Sequence, residues 1–437
     1  MRYFFSPRPL KRTLSQYEEI APDTINELQR SVVPLLGRSI IHVNTSASSG
    51  GVAEMLKSQV PLERSMGLDS SWLVMRGTDA FFDITKKMHN LIQGKPGEIS
   101  DQEWNAYLAH VESTTAEFLA YVRSKHSPIV VIHDPQPLPL ARSLPREMPC
   151  TWRLHPDLSE PNEKLMQRLQ PLAEGMRVVV SHKKFKPFWI QDDYSVIYPA
   201  IDPLSKKNVR MSTRKANAIF KACGLDSSRP IISQVARFDP WKDPVGVIEA
   251  YRIAKKSIPE LQLVLAGLIV AEDDPEAKSL FAEVQKNAAG EKGIYLFGGK
   301  KPPGNYSNDE FVGAFQGRST VVLQKSTKEG FGMSVTEAMW KGTPVIGGNV
   351  GGIKLQIEND VSGYVVDTVK ECARRIVELV RDPDLRERIG EAGKDSVRSQ
   401  FLIPRLMKDH VQLYLHAINS TPFSLASLID FRQYSIR

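Results

Sequence analysis

Residues Lys328 to Gly352 read KEGFGMSVTEAMWKGTPVIGGNVGG. An apolar, β-rich run, STVVLQK (319–325), leads into this stretch, and PVIGG (344–348) lies near its end. Between them a helical period begins at about residue 335. Strand, glycine-marked turn, helix, strand is the repeating unit of a parallel sheet covered by helices. Glu329 and Glu337 flank the Gly330-Phe331-Gly332 turn. Ser334-Val335-Thr336-Glu337 fits a capping box, a serine hydroxyl at the N-cap and a glutamate three residues on. Gly342 and Pro344 supply the helix stop. Capping alone would account for Glu337. Glu329 follows an apolar strand, where a buried carboxylate needs partners. The turn after it exposes N–H groups, and the helix N-terminus adds a positive field. A carboxylate beside amide donors suits a polyhydroxylated ligand better than a bare phosphate; a generic loop glutamate is the other reading.

The same order recurs along the chain. RSIIHVN (38–44) reads as a strand, TSASSGG (45–51) as a loop, 52–67 as a helix and SSWLVMR (70–76) as a strand. Pro61 is expected to kink or split that helix. IISQVARFDPWK (231–242), a helix over 244–257 and LQLVLAG (261–267) repeat the pattern. Shorter strands are expected at 127–134, 151–155, 177–182, 194–200 and 293–299. The pattern restarts after PAIDPLSKKN (199–208). The expected fold class is therefore α/β, with two Rossmann-like domains, 1–200 and 201–404, facing across a cleft. Ligands in such sheets bind at the carboxyl ends of strands. From about Pro404, helical spacing at Leu406, Met407, His410, Leu413 and Leu415 predicts a final helix able to cap either domain.

Composition narrows the function classes. The chain has 437 residues, 41% hydrophobic and 24% charged, which is ordinary for a globular protein. The longest apolar run, Leu263 to Ala271, is too short to cross a membrane, which takes about 20 residues. The N-terminus shows no secretory signal pattern. Three widely spaced cysteines, Cys150, Cys223 and Cys372, fit neither a disulfide framework nor a metal site, and a cytosolic home is expected. The net charge of +7 is dispersed, the densest groups being HKKFKPF (182–188), Lys206-Lys207 and Lys300-Lys301. A solvated basic surface accounts for it, and no nucleic-acid module is recognised.

Three further constellations sit at expected strand ends. SSGGVAE (48–54) places two glycines, Gly50 and Gly51, before a helix, where N–H groups can approach an anion or simply form a tight turn. Arg237-Phe-Asp-Pro-Trp-Lys242 offers two cations for phosphate, or a loop salt-bridged to Asp239 or Asp243. His133-Asp134 and His155 can bond sugar hydroxyls, move protons, or be structural. No histidine pair has metal-ligand spacing, so no metal and no cofactor are expected.

The spacing from Glu329 to Glu337 resembles the E-x7-E signature of retaining GT-B glycosyltransferases. HVNTSASSGGVAEML, HDPQP, WRLHPDLS, PAIDPLSKKN, QVARFDPWK and EGFGMSVTEAMWKGTPVIGGNVGG together resemble the trehalose synthase family of the glycosyltransferring type, itself similar to retaining trehalose phosphorylases. The resemblance covers roughly Gly37 to Pro404. It implies glucose transfer from UDP- or ADP-glucose to glucose, giving α,α-trehalose, with reversal allowed. Glu329, Arg237, Lys242 and His155 would be catalytic. Gly330, Phe331 and Gly332 would present backbone donors to the donor sugar, and Glu337 would hold the ribose. Arg237 and Lys242 would neutralise the diphosphate, with Gly51 on its other side. His133 and Asp134 would lie where the acceptor glucose sits; His155, counted with that acceptor set, resembles the family histidine near the donor sugar. The resemblance also implies that the last helix, about 405–437, packs back on the first domain. The segment 298–320, where base contacts are expected, is longer and more polar than the family pattern, and residues 420–437 match nothing assignable. A trehalose phosphorylase is the rival enzyme, and a non-catalytic sugar or nucleic-acid binder the rival of another class. Expected partners are the nucleotide sugar and glucose or trehalose, without membrane or nucleic acid, and a homodimer is the expected assembly.

Overall fold

A computed structural model of the chain describes residues 2–8, 10–47, 50–182, 187–190, 194–267, 275–299 and 301–420. Ser48, Ser49, residues 183–186, residues 268–271, Lys300 and residues 421–437, on which some expectations fall, lie outside the described residues. The chain forms two compact units, one built from Met1–Pro199 and the segment from Ile403, the other from Ala200–Leu402.

The first unit holds strands β1 (Phe4–Phe5), β2 (Ser39–Asn44), β3 (Asp69–Met75), β4 (Ile129–His133), β5 (Cys150–Leu154), β6 (Arg177–Val180) and β7 (Tyr194–Val196). Their order is β1-β3-β2-β4-β5-β6-β7. All neighbours run parallel except the short edge strand β1, which pairs antiparallel with β3. Every residue of β2 and β4 is buried, as expected for strands covered on both faces. The order reverses between β2 and β4, so ligands of this sheet belong at the carboxyl ends of those two strands.

Helix Gly50–Ser65 crosses from β2 to β3 and runs unbroken through Pro61, against the expected split. Its buried residues on both sides of the proline, Leu56, Val60 and Leu62, offset a proline cost of about 3 kcal/mol. Helix Asp101–Arg123 begins with a capping box, the Ser100 hydroxyl accepting from the Glu103 amide while the Glu103 carboxylate accepts from the Ser100 amide. Helix Ile403–Ser420 belongs to this unit. Leu406, Met407, His410 and Leu413 are buried on it. The Arg405 guanidinium donates to the carbonyls of Tyr198 (2.8 Å) and Pro199 (3.0 Å), where the chain leaves the unit.

The second unit holds β8 (Ile231–Val235), β9 (Gln262–Ala266), β10 (Ile294–Phe297), β11 (Val321–Gln324), β12 (Val345–Gly348) and β13 (Tyr364–Val366). The order β10-β9-β8-β11-β12-β13 is wholly parallel and reverses between β8 and β11. This is the doubly wound arrangement, with its ligand crevice at the ends of β8 and β11. Isolated bridge pairing of Ile201 with Leu402 holds the two ends of this unit together.

Leu263 sits fully buried on β9. Leu263→Ala is expected to destabilise the second unit by about 2–5 kcal/mol, read from the shift of its urea unfolding midpoint.

Candidate active site

In the second unit the chain leaves β11 at Gln324 and turns through Glu329 to Gly332. Gly332 has φ +87°, a left-handed conformation that favours glycine, and a Cβ there would stand 3.1 Å from the Glu329 Cγ. The helix therefore starts at Met333 with Gly332 as its N-cap, and no side chain caps it. The expected Ser334–Glu337 capping box is not formed, because Ser334 already lies inside the helix. Its hydroxyl donates instead to Gln324 Oε1 at 2.8 Å. Glu337 is 4% exposed and pairs with Lys207 at 2.6 Å. Its other oxygen accepts from Gln316 at 2.6 Å. Lys341 lies behind it and donates to the Glu337 carbonyl at 2.9 Å. Burial pushes the Lys341 ammonium down to about 7, against the opposing pull of Glu337.

Two ion pairs join the loop after β8 to the loop after β11. Lys242 meets Glu329, both largely shielded from solvent. Next to them, Lys325 meets Asp243. The Thr327 amide also donates to the Trp241 carbonyl at 2.8 Å. Asp243 caps helix Pro244–Lys255, accepting from the Gly246 amide at 3.0 Å. The sequence-predicted pair of cations is thus divided. Lys242 is engaged with Glu329, while Arg237 is two-thirds exposed and 3.8 Å from Asp239. Among the described residues, no acceptor meets the amides of Gly330, Phe331 and Gly332. Phe331 itself is buried against Phe401, with ring centroids 5.6 Å apart. The turn thus has a fixed apolar anchor and free backbone donors.

In the first unit, Gly50 opens helix Gly50–Ser65 with φ +87°, and Gly51 is exposed in its first turn. The histidines at the strand ends form a row. His42 Nδ1 lies 3.1 Å from His133 Nε2, and His133 Nδ1 lies 3.0 Å from His155 Nε2. His133 is 1% exposed and has both ring nitrogens engaged, whereas His155 is half-buried. Asp134 takes the left-handed conformation, φ 62°, and accepts from the His155 amide at 2.9 Å. Desolvation pushes the Asp134 carboxyl up to about 7, against the lowering effect of the His155 amide and Arg153.

Behind this row stands a buried group that motif reading missed. Glu63 is fully buried and accepts from His42 (3.0 Å), Gln59 (3.0 Å), Ser70 (2.5 Å) and Tyr414 (2.7 Å). Tyr414 in turn lies 3.0 Å from His410 Nδ1, and His410 Nε2 meets Arg153. The signal that could have found it is His42 in the middle of the buried strand β2, between Ile41 and Val43. Among the described residues, no group of histidine, cysteine or acidic side chains is placed to hold a metal, and no helix is long and apolar enough to cross a membrane.

Two doubly wound sheets, each with its polar side chains at the point where strand order reverses, define a GT-B glycosyltransferase fold. The alpha,alpha-trehalose-phosphate synthase (UDP-forming) from Burkholderia vietnamiensis shares this fold at a TM-score of 0.68 and 12% identity, over 90% of this chain and 100% of that one. The family descriptions that match are "Trehalose synthase, N-terminal domain" over residues 42–187 and "Glycosyl transferases group 1" over residues 215–396. A trehalose synthase from Rubrobacter xylanophilus is 38% identical over 412 residues, 93% of this chain and 97% of that protein. The chain belongs to the trehalose synthase family and is a hexosyltransferase. A trehalose phosphorylase from Grifola frondosa is 26% identical, over 82% of this chain and 54% of that protein.

The raised Asp134 carboxyl carries a pH signature. Its ordinary value is 3.8, so between about pH 4 and pH 7 the unfolded chain releases a proton that the folded protein keeps. This contribution to stability is present at the acidic end and is lost as pH rises through about 7. Asp134→Asn keeps the acceptor for His155 and tolerates the left-handed backbone. The variant's thermal midpoint is expected to fall less between pH 4.5 and 7.5 than that of the native protein, with both measured in parallel buffers.

Proposed function

We propose that the protein is a cytosolic retaining glucosyltransferase that moves glucose from a nucleoside-diphosphate glucose to free glucose, forming α,α-trehalose, and that it can run in reverse. The observation that carries this reading is the pairing of Lys242 with Glu329 at the switch point of the second sheet, beside three unengaged amides. A diphosphate offers Lys242 more charge than one carboxylate does. When it takes Lys242, Glu329 is left to accept hydrogen bonds from the sugar, and Gly330, Phe331 and Gly332 donate theirs.

Arg237 is exposed and extended, suited to gripping phosphate oxygens bidentately. Together Arg237 and Lys242 stabilise the charge that grows on the leaving diphosphate. Glu337 receives the ribose hydroxyls while sharing its oxygens with Lys207 and Gln316, which the spare lone pairs of a carboxylate allow. Gly51, exposed in the first turn of its helix, is the first unit's proposed contact for the donor phosphates. Asp134 and His155 receive the acceptor glucose, and His133 holds His155 from behind. The donor's own phosphate takes the acceptor proton on the face that the leaving group departs from, so retention needs no protein nucleophile. The three unpaired cysteines suit a reducing compartment.

The second reading is a trehalose phosphorylase, in which free phosphate would occupy the Arg237–Lys242 site. The synthase reading is favoured because the synthase relative matches over nearly its whole length and the phosphorylase over about half.

The deciding experiment offers glucose with UDP-glucose, ADP-glucose or glucose 1-phosphate in parallel and measures disaccharide. Trehalose with release of a nucleoside diphosphate is expected. Trehalose from glucose 1-phosphate alone would replace the synthase reading with the phosphorylase, and no disaccharide from any donor would overturn both. In the same assay Glu329→Ala is expected to lower turnover roughly tenfold or more, equivalent to about 1.4 kcal/mol of lost transition-state stabilisation. Arg237→Ala is expected to raise the KM for the donor more than that for glucose; equal effects would contradict its phosphate role.

A further inference from the structure

The segment that opens the second unit folds onto the carboxylate of Glu337. The Asp202 carbonyl accepts from the Ser205 amide (3.1 Å) and the Ser205 carbonyl from the Asn208 amide (2.9 Å), so two successive turns carry the chain to Lys207 and Asn208. Gly313, on helix Asn308–Arg318, gives this segment room: a Cβ there would lie 3.0 Å from the Lys207 carbonyl oxygen. Lys207 pairs with one oxygen of Glu337, and Gln316, on the same helix as Gly313, donates to the other. Gln316 and Asn208 are 1% and 3% exposed. Both contact Lys341, which follows helix Met333–Trp340. The Lys341 ammonium reaches the Glu337 carbonyl (2.9 Å), Gln316 Oε1 (3.1 Å) and Asn208 Oδ1 (3.2 Å), one oxygen for each of its protons.

Neither amide can turn round. A carboxylate paired with an ammonium only accepts, so Gln316 faces it with Nε2 and keeps Oε1 for Lys341. A reversed Gln316 would set its oxygen against the Glu337 oxygen. This holds whatever the charge on Lys341, which burial lowers to about 7. Asn208 spends Nδ2 on the Asp202 carbonyl at 3.0 Å, which leaves Oδ1 for Lys341. A lysine at a helix C-terminus that bonds a helix carbonyl accounts for the contact with the Glu337 main chain. It does not account for the buried Gln316 that carries the same ammonium on to the Glu337 side chain. Each carboxylate oxygen has about two accepting positions. Lys207 fills one on Oε1 and Gln316 one on Oε2, so a position remains on each oxygen. A pair of vicinal hydroxyls needs that arrangement.

We infer that Gln316 and Lys341 are positioning residues for the nucleoside: Lys341 fixes Gln316, and Gln316 fixes the plane of the Glu337 carboxylate, so that each oxygen keeps an accepting position for a vicinal diol. Without Gln316, a carboxylate beside one ammonium can swing until both oxygens face Lys207, and the diol then loses its second acceptor. The ligand selected is a ribonucleotide, and a donor that lacks one of the two hydroxyls is discriminated against. The role of Glu337 toward the ribose rests on the function proposed above.

Titration calorimetry of the full chain with UDP, ADP and their 2′-deoxyribose counterparts measures this selection. The native protein is expected to bind the ribose form of its preferred base roughly tenfold or more tightly than the deoxy form, the size of one hydrogen bond to a charged acceptor. Gln316→Met and Lys341→Met are each expected to bring that ratio to within about threefold, and to change it no further in a Glu337→Gln background. A residue that only stabilised the fold would weaken both forms equally. A native-sized ratio in either folded variant, or equal binding of the two forms by the native protein, would therefore overturn the positioning role alone. Failure of the native protein to bind either UDP or ADP would instead overturn the nucleotide-donor reading, and this inference with it. Should both variants fail to fold, a crystal structure of the native protein with the bound ribonucleotide decides. Glu337 is expected there to hold both hydroxyls while still accepting from Gln316, and a carboxylate turned away from Gln316 would overturn the inference.

Discussion

A carboxylate held in a dry core needs a donor for each oxygen, and leaving such a charge unpaired costs about 3–5 kcal/mol. Glu63 meets that demand with donors from four elements: Gln59 on its own helix, His42 on β2, Ser70 on β3 and Tyr414 on the final helix. Hydrophobic packing alone would let these elements slide over one another. A buried anion with four aimed donors does not, because each donor has one position that satisfies it. Through these four donors the one carboxylate links the helix after β2, strands β2 and β3 and the final helix.

The second unit solves a different problem. Its crevice must present opposite charges close together without letting the loops collapse. Crossed pairing, Lys242 with Glu329 and Lys325 with Asp243, ties two loops from adjacent strands into one rigid rim. Asp243 belongs to both the rim and the helix after it, since the same carboxylate caps Pro244–Lys255. Gly352 completes the rim from below: a Cβ there would lie 2.3 Å from the Phe331 Cα, so only glycine lets the Gly-Phe-Gly turn settle against the following strand's loop.

The alternation of strands and helices was legible because parallel strands buried on both faces are continuous apolar runs, and β2, β4, β9, β11 and β12 are such runs. β1 and β13 escaped because two or three residues carry no periodicity. Capping was misread: Ser307–Glu310 and Ser100–Glu103, which have the same spelling and were not singled out, form real capping boxes, whereas Ser334–Glu337, the one box the sequence suggested, forms none. The left-handed Gly332 starts that helix before the serine, and φ is not written in a motif. Glu329 and Lys242 could be named from local sequence, yet their pairing spans 87 residues and needed the fold. Glu63 could not be named at all. It reads as one more helix glutamate, and its partner Tyr414 lies 351 residues away.

That separation bears on how the chain comes together. The second unit is a guest inserted into a host that begins before it and finishes after it. In an unfolded chain, closing a loop of that length around the Glu63–Tyr414 contact is slow and entropically costly, although the cost grows only by about 0.6 kcal/mol for each doubling of length. The bridge between Ile201 and Leu402 changes the arithmetic. Once the guest is folded its two ends emerge side by side, and the grip of Arg405 on Tyr198 and Pro199 extends that adjacency into the host. The effective loop shrinks from the whole guest to a few residues. The host's last helix can then dock almost as a local neighbour, and folding of the guest becomes a kinetic precondition for sealing the buried carboxylate in the host.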